Sequence, residues 1–530
     1  MSSSLVNRFR DLESEIKELC KICGTPGVSV GISLRGENIY LFNSGFLDIE
    51  KQLPTHSDGI YALGTLAKTF TASAIGLLVA EGKVKWDSHI KDVLPNFRSK
   101  DAIVTENVTI EDLLCHRSGL SRSNLWWLGS DGQLLLPKDK LLDAYRNLEL
   151  TGSFRGSWGY SNWGYAIVGE VIEKLTGMTY GQFITTRIIE PLGLRHTTAQ
   201  PVDVAGDNLA RPYAALDNAD LYPLPQTPIS ERTIMAPAMG LHSSPHDLLT
   251  YSIALLRSLR SEQGQATNSS PSVLREVTAQ LSGHAFVSRS VNEKSYAFGF
   301  YRTALPSTIA GMGCNGFHVK TLPRIVPGVQ CGPLIAHAGS VPGYSNSLAL
   351  LPELDASVVV CTNSIGLGDA SGWIAMALIE ALIESPVPTD FVAYAKEAAK
   401  NHAESIRVAR SKLEKVRAPD TKPKPLEVYV GSYLNEEHDW VIVVRQRQAG
   451  GLEVLFQGLE SQAWLLTHYE HDTFLWMADR NEQAKRGRVT TYVQADSFKL
   501  IFGGAHGKID RLYWPQEAGL ALDKQCFLRM

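Results

Sequence analysis

The chain has 530 residues, 44% hydrophobic and 20% charged, and carries a formal net charge of -4. That length exceeds one ordinary core and suggests about two to four domains in a soluble, globular chain. The charge balance gives no electrostatic footprint for nucleic acid or an anionic membrane, so the expected partner is a small molecule.

The N-terminal stretch 1–24 puts Arg8, Arg10, Asp11, Glu13 and Glu15 where a secretory leader needs an apolar run, and reads as an amphipathic helix kept in the fold. No segment approaches the roughly 20 apolar residues of a membrane span. Seven scattered cysteines argue against a disulfide framework and for a reducing, cytoplasmic setting. Cys20 and Cys23 form an isolated CxxC with no second pair nearby, more simply two thiols on one helix than a metal or redox site.

Next, Val28–Leu34 alternates with period two, residues 35–38 turn, and Ile39–Phe42 returns, which predicts a hairpin. Gly64-Thr65-Leu66-Ala67-Lys68 then opens an apolar helix over 65–81. Thr65 and Lys68, three residues apart, share a helix face, and a hydroxyl at a helix start lies among unpaired N–H groups that favour developing negative charge. Taken alone, the pentapeptide favours a capping Thr and a solvated Lys.

Thr109 followed by Asp112 predicts a capped helix ending at His116–Gly119. The stretch 121–158 reads as a loop whose Trp126, Trp127 and Trp158 either roof a pocket or pack in the core. Tyr160-Ser161-Asn162 precedes an amphipathic helix ending near Gly177, a placement that faces polar side chains into a cleft. Residues 200–235 read as a surface excursion, 245–258 as a helix and 261–272 as a polar loop.

Around 334–363 the pattern predicts two strands about a Pro-Glu-Leu-Asp turn, with His337 at a strand end and Gly339 allowing close backbone approach to a ligand. From 389 a long charged helix leads into the Pro- and Lys-rich linker 419–425. Residues 426–530 predict short strands, among them 428–433, 440–445, 452–456, 463–468, 473–477, 489–493, 498–502 and 509–514, closing into a small antiparallel barrel or sandwich. The expected division is 1–388, a helix and linker at 389–425, and 426–530.

Read together, Thr65–Lys68, Tyr160–Asn162 and His337–Gly339, with the flanks 68–72, 113–120, 190–194 and 239–244, resemble the serine β-lactamase-like superfamily. The closer likeness is to its class C β-lactamase, penicillin-binding-protein, esterase and acyltransferase branch. The resemblance covers roughly residues 10–385 and implies an α+β fold: an antiparallel sheet flanked by helices, with an all-helical lobe. The tail is similar to lipocalin-like domains appended to some relatives.

By position, the resemblance implies Thr65 as nucleophile, Lys68 as its activating partner and Tyr160 as general acid/base. Asn162 would orient Lys68 and the substrate. His337 stands where lactamases have Lys, similar to esterase-type relatives and unfavourable for β-lactamase activity. The backbone N–H groups of Thr65 and Ser340 would form the oxyanion hole beside Gly339, with Trp158, Trp126 and Trp127 as pocket walls.

Family members normally carry Ser where this chain has Thr65, whose methyl stiffens χ1 but leaves a hydroxyl for acyl transfer. The readings rank as follows: a hydrolase or acyltransferase acting on an ester, thioester or amide of a small metabolite; then a non-covalent acid–base catalyst such as a cyclase or isomerase; then a silent binding module. By family analogy the substrate belongs to fungal-type secondary metabolism, free or bound to a carrier or CoA. No metal and no organic cofactor is expected, and the oligomeric state is left open.

Overall fold

The alternation that predicts a hairpin at 28–42 becomes two neighbouring strands of a nine-stranded antiparallel sheet in the computed structural model, which describes residues 3–202, 206–265, 272–289, 293–309, 313–488 and 494–530. The N-terminal stretch forms two helices, α1 (Ser3–Asp11) and α2 (Glu13–Cys23), rather than one. Strands β1 (Gly27–Leu34), β2 (Glu37–Asp48) and β3 (Leu53–Pro54) follow. A 3-10 turn over Gly64–Leu66 leads into α3 (Ala67–Ala80), and a helical lobe includes α4 (Asn162–Thr176) and α5 (Pro245–Glu262).

The chain then returns to the sheet through β4 (Ala285–Phe286), β5 (Lys294–Tyr296), β6 (Tyr301–Ala304), β7 (Pro333–Val341), β8 (Tyr344–Leu351) and β9 (Ala356–Thr362). The strand order is β3-β2-β1-β9-β8-β7-β6-β5-β4. Helix α6 (Ala370–Ile383) packs on one face of the sheet and α5 on the other. A strand covered on both sides sends alternate residues into two cores. Val358 and Val360 accordingly pack in the layer of α6, and Val359 and Cys361 in the layer of α5.

Where two strands were expected near 334–363 there are three, and His337 lies mid-strand in β7 instead of at a strand end. The reason is the two-residue turn at Pro342–Gly343, with Gly343 at φ 85°, which joins β7 tightly to β8 and lets pairing run on past His337. The capping box at Thr109 and Asp112 forms as expected, on a helix that stops at Leu114.

Helices α7 (Phe391–Ala403) and α8 (Ser405–Val416) replace the single charged helix. Beyond them, eight antiparallel strands close a barrel: Gly431–Leu434, Val441–Gln446, Leu452–Phe456, Ala463–Glu470, Thr473–Leu475, Lys499–Gly503, Arg511–Tyr513 and Cys526–Arg529. Residues 426–429 form a 3-10 turn instead of the start of a strand, and Cys526–Arg529 is a strand that the pattern did not single out. The expected strand 489–493 lies outside the described residues. Among the described residues, no helix is long and apolar enough to cross a membrane.

Candidate active site

Thr65 sits in the turn before α3, where Gly64 has φ 56° and backs onto β7. A Cβ on Gly64 would lie 2.8 Å from the Ser340 nitrogen, so this close approach of turn and strand requires glycine. One helical turn on, Lys68 is fully buried. Its Nζ donates to Asn162 Oδ1 at 2.7 Å and to the Ala238 carbonyl at 3.1 Å. Burial pushes the Lys68 ammonium well below its ordinary pKa and so favours the neutral amine. In that form the two acceptors take both N–H bonds and the lone pair is left to receive a proton.

Asn162, the first residue of α4, is oriented at both ends. Its Nδ2 donates to Asn124 Oδ1 at 3.3 Å while its Oδ1 faces Lys68. Tyr160, two residues earlier, lies with its ring centroid 5.1 Å from Lys68 Nζ. Its phenol is held well above the usual tyrosine value by burial first, then by the neighbouring phenols Tyr301 and Tyr165, while contact with the Thr65 hydroxyl and the charge of Arg122 oppose the shift. It therefore stays protonated at neutral pH, beside Thr65.

The Thr65 hydroxyl donates to the Ala338 carbonyl at 2.7 Å. The ladder explains why that carbonyl is available. With a two-residue turn after Val341, the Val341–Tyr344 pair is hydrogen-bonded, so Ala338 and Ser340 fall at alternate positions whose main-chain groups point away from β8. Strand β6 covers β7 only as far as Ala336, leaving the Ala338 carbonyl and Ser340 N–H directed past its end toward Thr65. Gly339 lies between them, where a Cβ would be 1.9 Å from the Leu63 carbonyl. The close approach at Gly339 is therefore to the turn carrying Thr65.

His337 is buried, and burial followed by the nearby Lys68 pushes its pKa down to about 3. Its Nδ1 faces the Ala338 carbonyl, which only accepts, so Nδ1 carries the proton and Nε2 accepts from the Tyr296 hydroxyl at 3.1 Å. The position thus holds a neutral imidazole.

His116, which the sequence reading had placed only in a flanking motif, joins the same aromatic cluster, 4.4 Å from the Tyr160 ring and 4.6 Å from that of Tyr296. Its Nδ1 accepts from Ser161 N–H at 3.2 Å, and burial pushes its pKa well down. The contributions of Tyr296 and of the Ala238 and Ala338 carbonyls were also not anticipated; main-chain acceptors leave no mark in side-chain identity.

Of the three tryptophans, the structure brings Trp158 to the site, partly exposed beside Tyr160 and Tyr301. Trp127 is 1% exposed in the core and donates to Asn124 Oδ1. Trp126 stacks on Trp440 of the barrel. Among the described residues, no group of three or more His, Cys, Asp or Glu side chains is arranged to hold a metal ion.

With this geometry established, comparison with known proteins gives a consistent pattern. The Beta-lactamase family model matches residues 12–381, and a domain of unknown function, DUF3471, matches 415–527. An unguisins hydrolase of Aspergillus campestris is 23% identical over 440 residues, covering 80% of this chain and 75% of that protein. Penicillin-binding protein 4* of Bacillus subtilis is 32% identical over 165 residues, covering 31% of this chain and 35% of its own length. The structure of an octameric penicillin-binding protein homologue from Pyrococcus abyssi aligns with TM-score 0.57 at 20% identity, covering 96% of each chain.

Proposed function

The chain belongs to the beta-lactamase family, and we propose that it is a hydrolase or acyltransferase working through an acyl-enzyme on Thr65. The observation that carries this reading is the fully buried Lys68, whose Nζ donates to Asn162 and to the Ala238 carbonyl and whose burial favours the neutral amine. In this reading Thr65 Oγ1 attacks the acyl carbon as its proton passes to Lys68. Tyr160, still a phenol, gives a proton to the leaving group and is reprotonated from the Lys68 ammonium. The N–H groups of Thr65 and Ser340 stabilise the oxyanion, where losing one such donor typically costs about 3 kcal/mol. Water or a second acceptor then attacks the ester on Thr65, and the same groups run in reverse.

For substrate we propose an ester, thioester or amide of a small metabolite, free or carried on a protein or CoA. The likeness to an unguisins hydrolase supports hydrolysis and a role in fungal-type secondary metabolism. The neutral His337, with no cation offered at that position, supports a substrate other than a β-lactam.

A second reading has its own support: the Thr65 proton is held by a carbonyl in the resting site. Lys68, Tyr160 and His337 would then run acid–base chemistry without a covalent intermediate. Intact-protein mass spectrometry after incubation with activated esters, thioesters and β-lactams separates the two. An adduct mapping to Thr65, absent from Thr65→Ala, supports the acyl-enzyme. No adduct on wild type, with ready labelling of Thr65→Ser, supports the non-covalent route.

A further inference from the structure

Residues 121–127 form a short loop with the catalytic groups on one side and the C-terminal barrel on the other. On the inner side, Asn124 Oδ1 accepts from Trp127 Nε1 at 3.2 Å and from Asn162 Nδ2 at 3.3 Å, and Asn162 Oδ1 in turn receives Lys68 Nζ at 2.7 Å. On the outer side, Ser123 N–H donates to Glu517 Oε2 at 2.9 Å, and Gln516 Nε2 donates to Ser123 Oγ at 3.3 Å. The Trp440 indole N–H donates to the Trp126 carbonyl at 2.9 Å.

Between the two sides stands Ser123 at φ 36°. A residue other than glycine keeps that left-handed conformation only where its surroundings hold it. Two of the bonds that hold Ser123 come from Glu517 and Gln516, 394 and 393 residues away, beside the local ones from the Ser121 hydroxyl at 2.9 Å and from Trp126 N–H at 3.1 Å.

We propose that Glu517 of the barrel is a positioning residue for Lys68: by fixing the Ser123 backbone it sets Asn124, which sets Asn162, which aims the amine at Thr65. This rests on the reading of Lys68 as the proton acceptor. The barrel is thereby a working part of the catalytic site. The side-chain amide of Asn162 has one hydrogen bond outward and one inward, so rotation of Asn124 frees the Asn162 amide to turn and the Lys68 amine to leave its place. The charge facing Glu517 is that of Arg122, and the titratable groups facing Lys68 are His116, His337, Tyr160 and Tyr165. Because burial is what lowers the Lys68 pKa, loosening the loop admits water and favours the ammonium.

The test uses the full-length protein with p-nitrophenyl acetate, measuring kcat and KM across pH for Glu517→Ala, Glu517→Gln, Asn124→Ala and Lys68→Met. Glu517→Ala is expected to lower kcat by about 10- to 100-fold with KM within about twofold, and to move the acid limb of the kcat profile to higher pH. Glu517→Gln, whose amide oxygen still accepts from Ser123 N–H, is expected to recover to within about threefold of wild type. Asn124→Ala should reproduce the displaced limb, and the double variant with Glu517→Ala should be no worse than the poorer single one.

A wild-type profile for Glu517→Ala, or equal damage in Glu517→Gln, overturns the proposal. If Glu517→Ala does not fold, an unmoved limb in Asn124→Ala overturns it and a displaced one supports it. Turnover retained in Lys68→Met would instead remove the proton-acceptor reading of Lys68 and the link with it. An inactive Lys68→Met beside a normal Glu517→Ala removes the link alone.

Discussion

The Thr65 hydroxyl donates a hydrogen bond to the main-chain oxygen of Ala338, 2.7 Å away, in a site whose buried lysine is one helical turn further on. For attack, that proton must turn from the carbonyl to Lys68, a rotation about the Cβ–Oγ1 bond. The γ-methyl of threonine restricts χ1 and crowds the attacked carbon. Thr65→Ser should therefore keep or raise the rate of acyl-adduct formation, and Thr65→Ala should abolish the adduct, both read by intact mass. Equal turnover in Thr65→Ala would remove the covalent mechanism.

Lys68 contributes to stability with a definite sign. Its folded pKa lies well below the unfolded value near about 10.4, so between the two the unfolded chain holds a proton that the folded one lacks. Stability from this group rises with pH across that window, by at most about 1.4 kcal/mol per unit. The melting temperature of wild type relative to Lys68→Met should climb as pH rises toward about 10. A flat difference would show that the amine is not neutral in the fold.

His337 acts at the other end of the scale. With its pKa lowered from 6.5 to about 3 by burial, its contribution is complete above 6.5 and drains away as pH falls toward 3. His337→Gln should unfold less steeply with acid over that interval, measured by chemical denaturation at a series of pH values.

Tyr160 stays a phenol because burial and two neighbouring phenols hold its pKa well above the usual value. Tyr160→Phe should lower acyl transfer by about 10²- to 10⁴-fold. Wild type should show no alkaline loss assignable to Tyr160 below about pH 10. Near-normal rates in Tyr160→Phe would withdraw its role.

Gly339→Ala would place a Cβ 1.9 Å from the Leu63 carbonyl, and backbone on both sides has to move. Overpacking of this kind typically costs about 1–3 kcal/mol. The same displacement carries Ser340 N–H away from Thr65, so the rate should fall in protein that is still folded, by comparison of melting curves with adduct kinetics.

What the sequence determined by itself is local. The capping box at Thr109 and Asp112, the helix from Asn162 that ends before Gly177, the hairpin near Val28 and the strand Leu452–Phe456 each follow from side chains a few residues apart. The catalytic candidates came from three motifs read together as a family resemblance, since each motif alone also fits a structural role. Tertiary structure decided how they are used. It put His337 mid-strand, set Trp127 in the core and Trp126 against the barrel, and pointed the Ala338 carbonyl and Ser340 N–H at Thr65 through ladder parity. The bond from Thr65 to Ala338 spans 273 residues, that from Lys68 to Asn162 spans 94, and that from Ser123 to Glu517 spans 394. Such contacts depend on strand register and on which main-chain groups a neighbouring strand leaves unpaired, and neither is carried by the spacing of side chains along the chain.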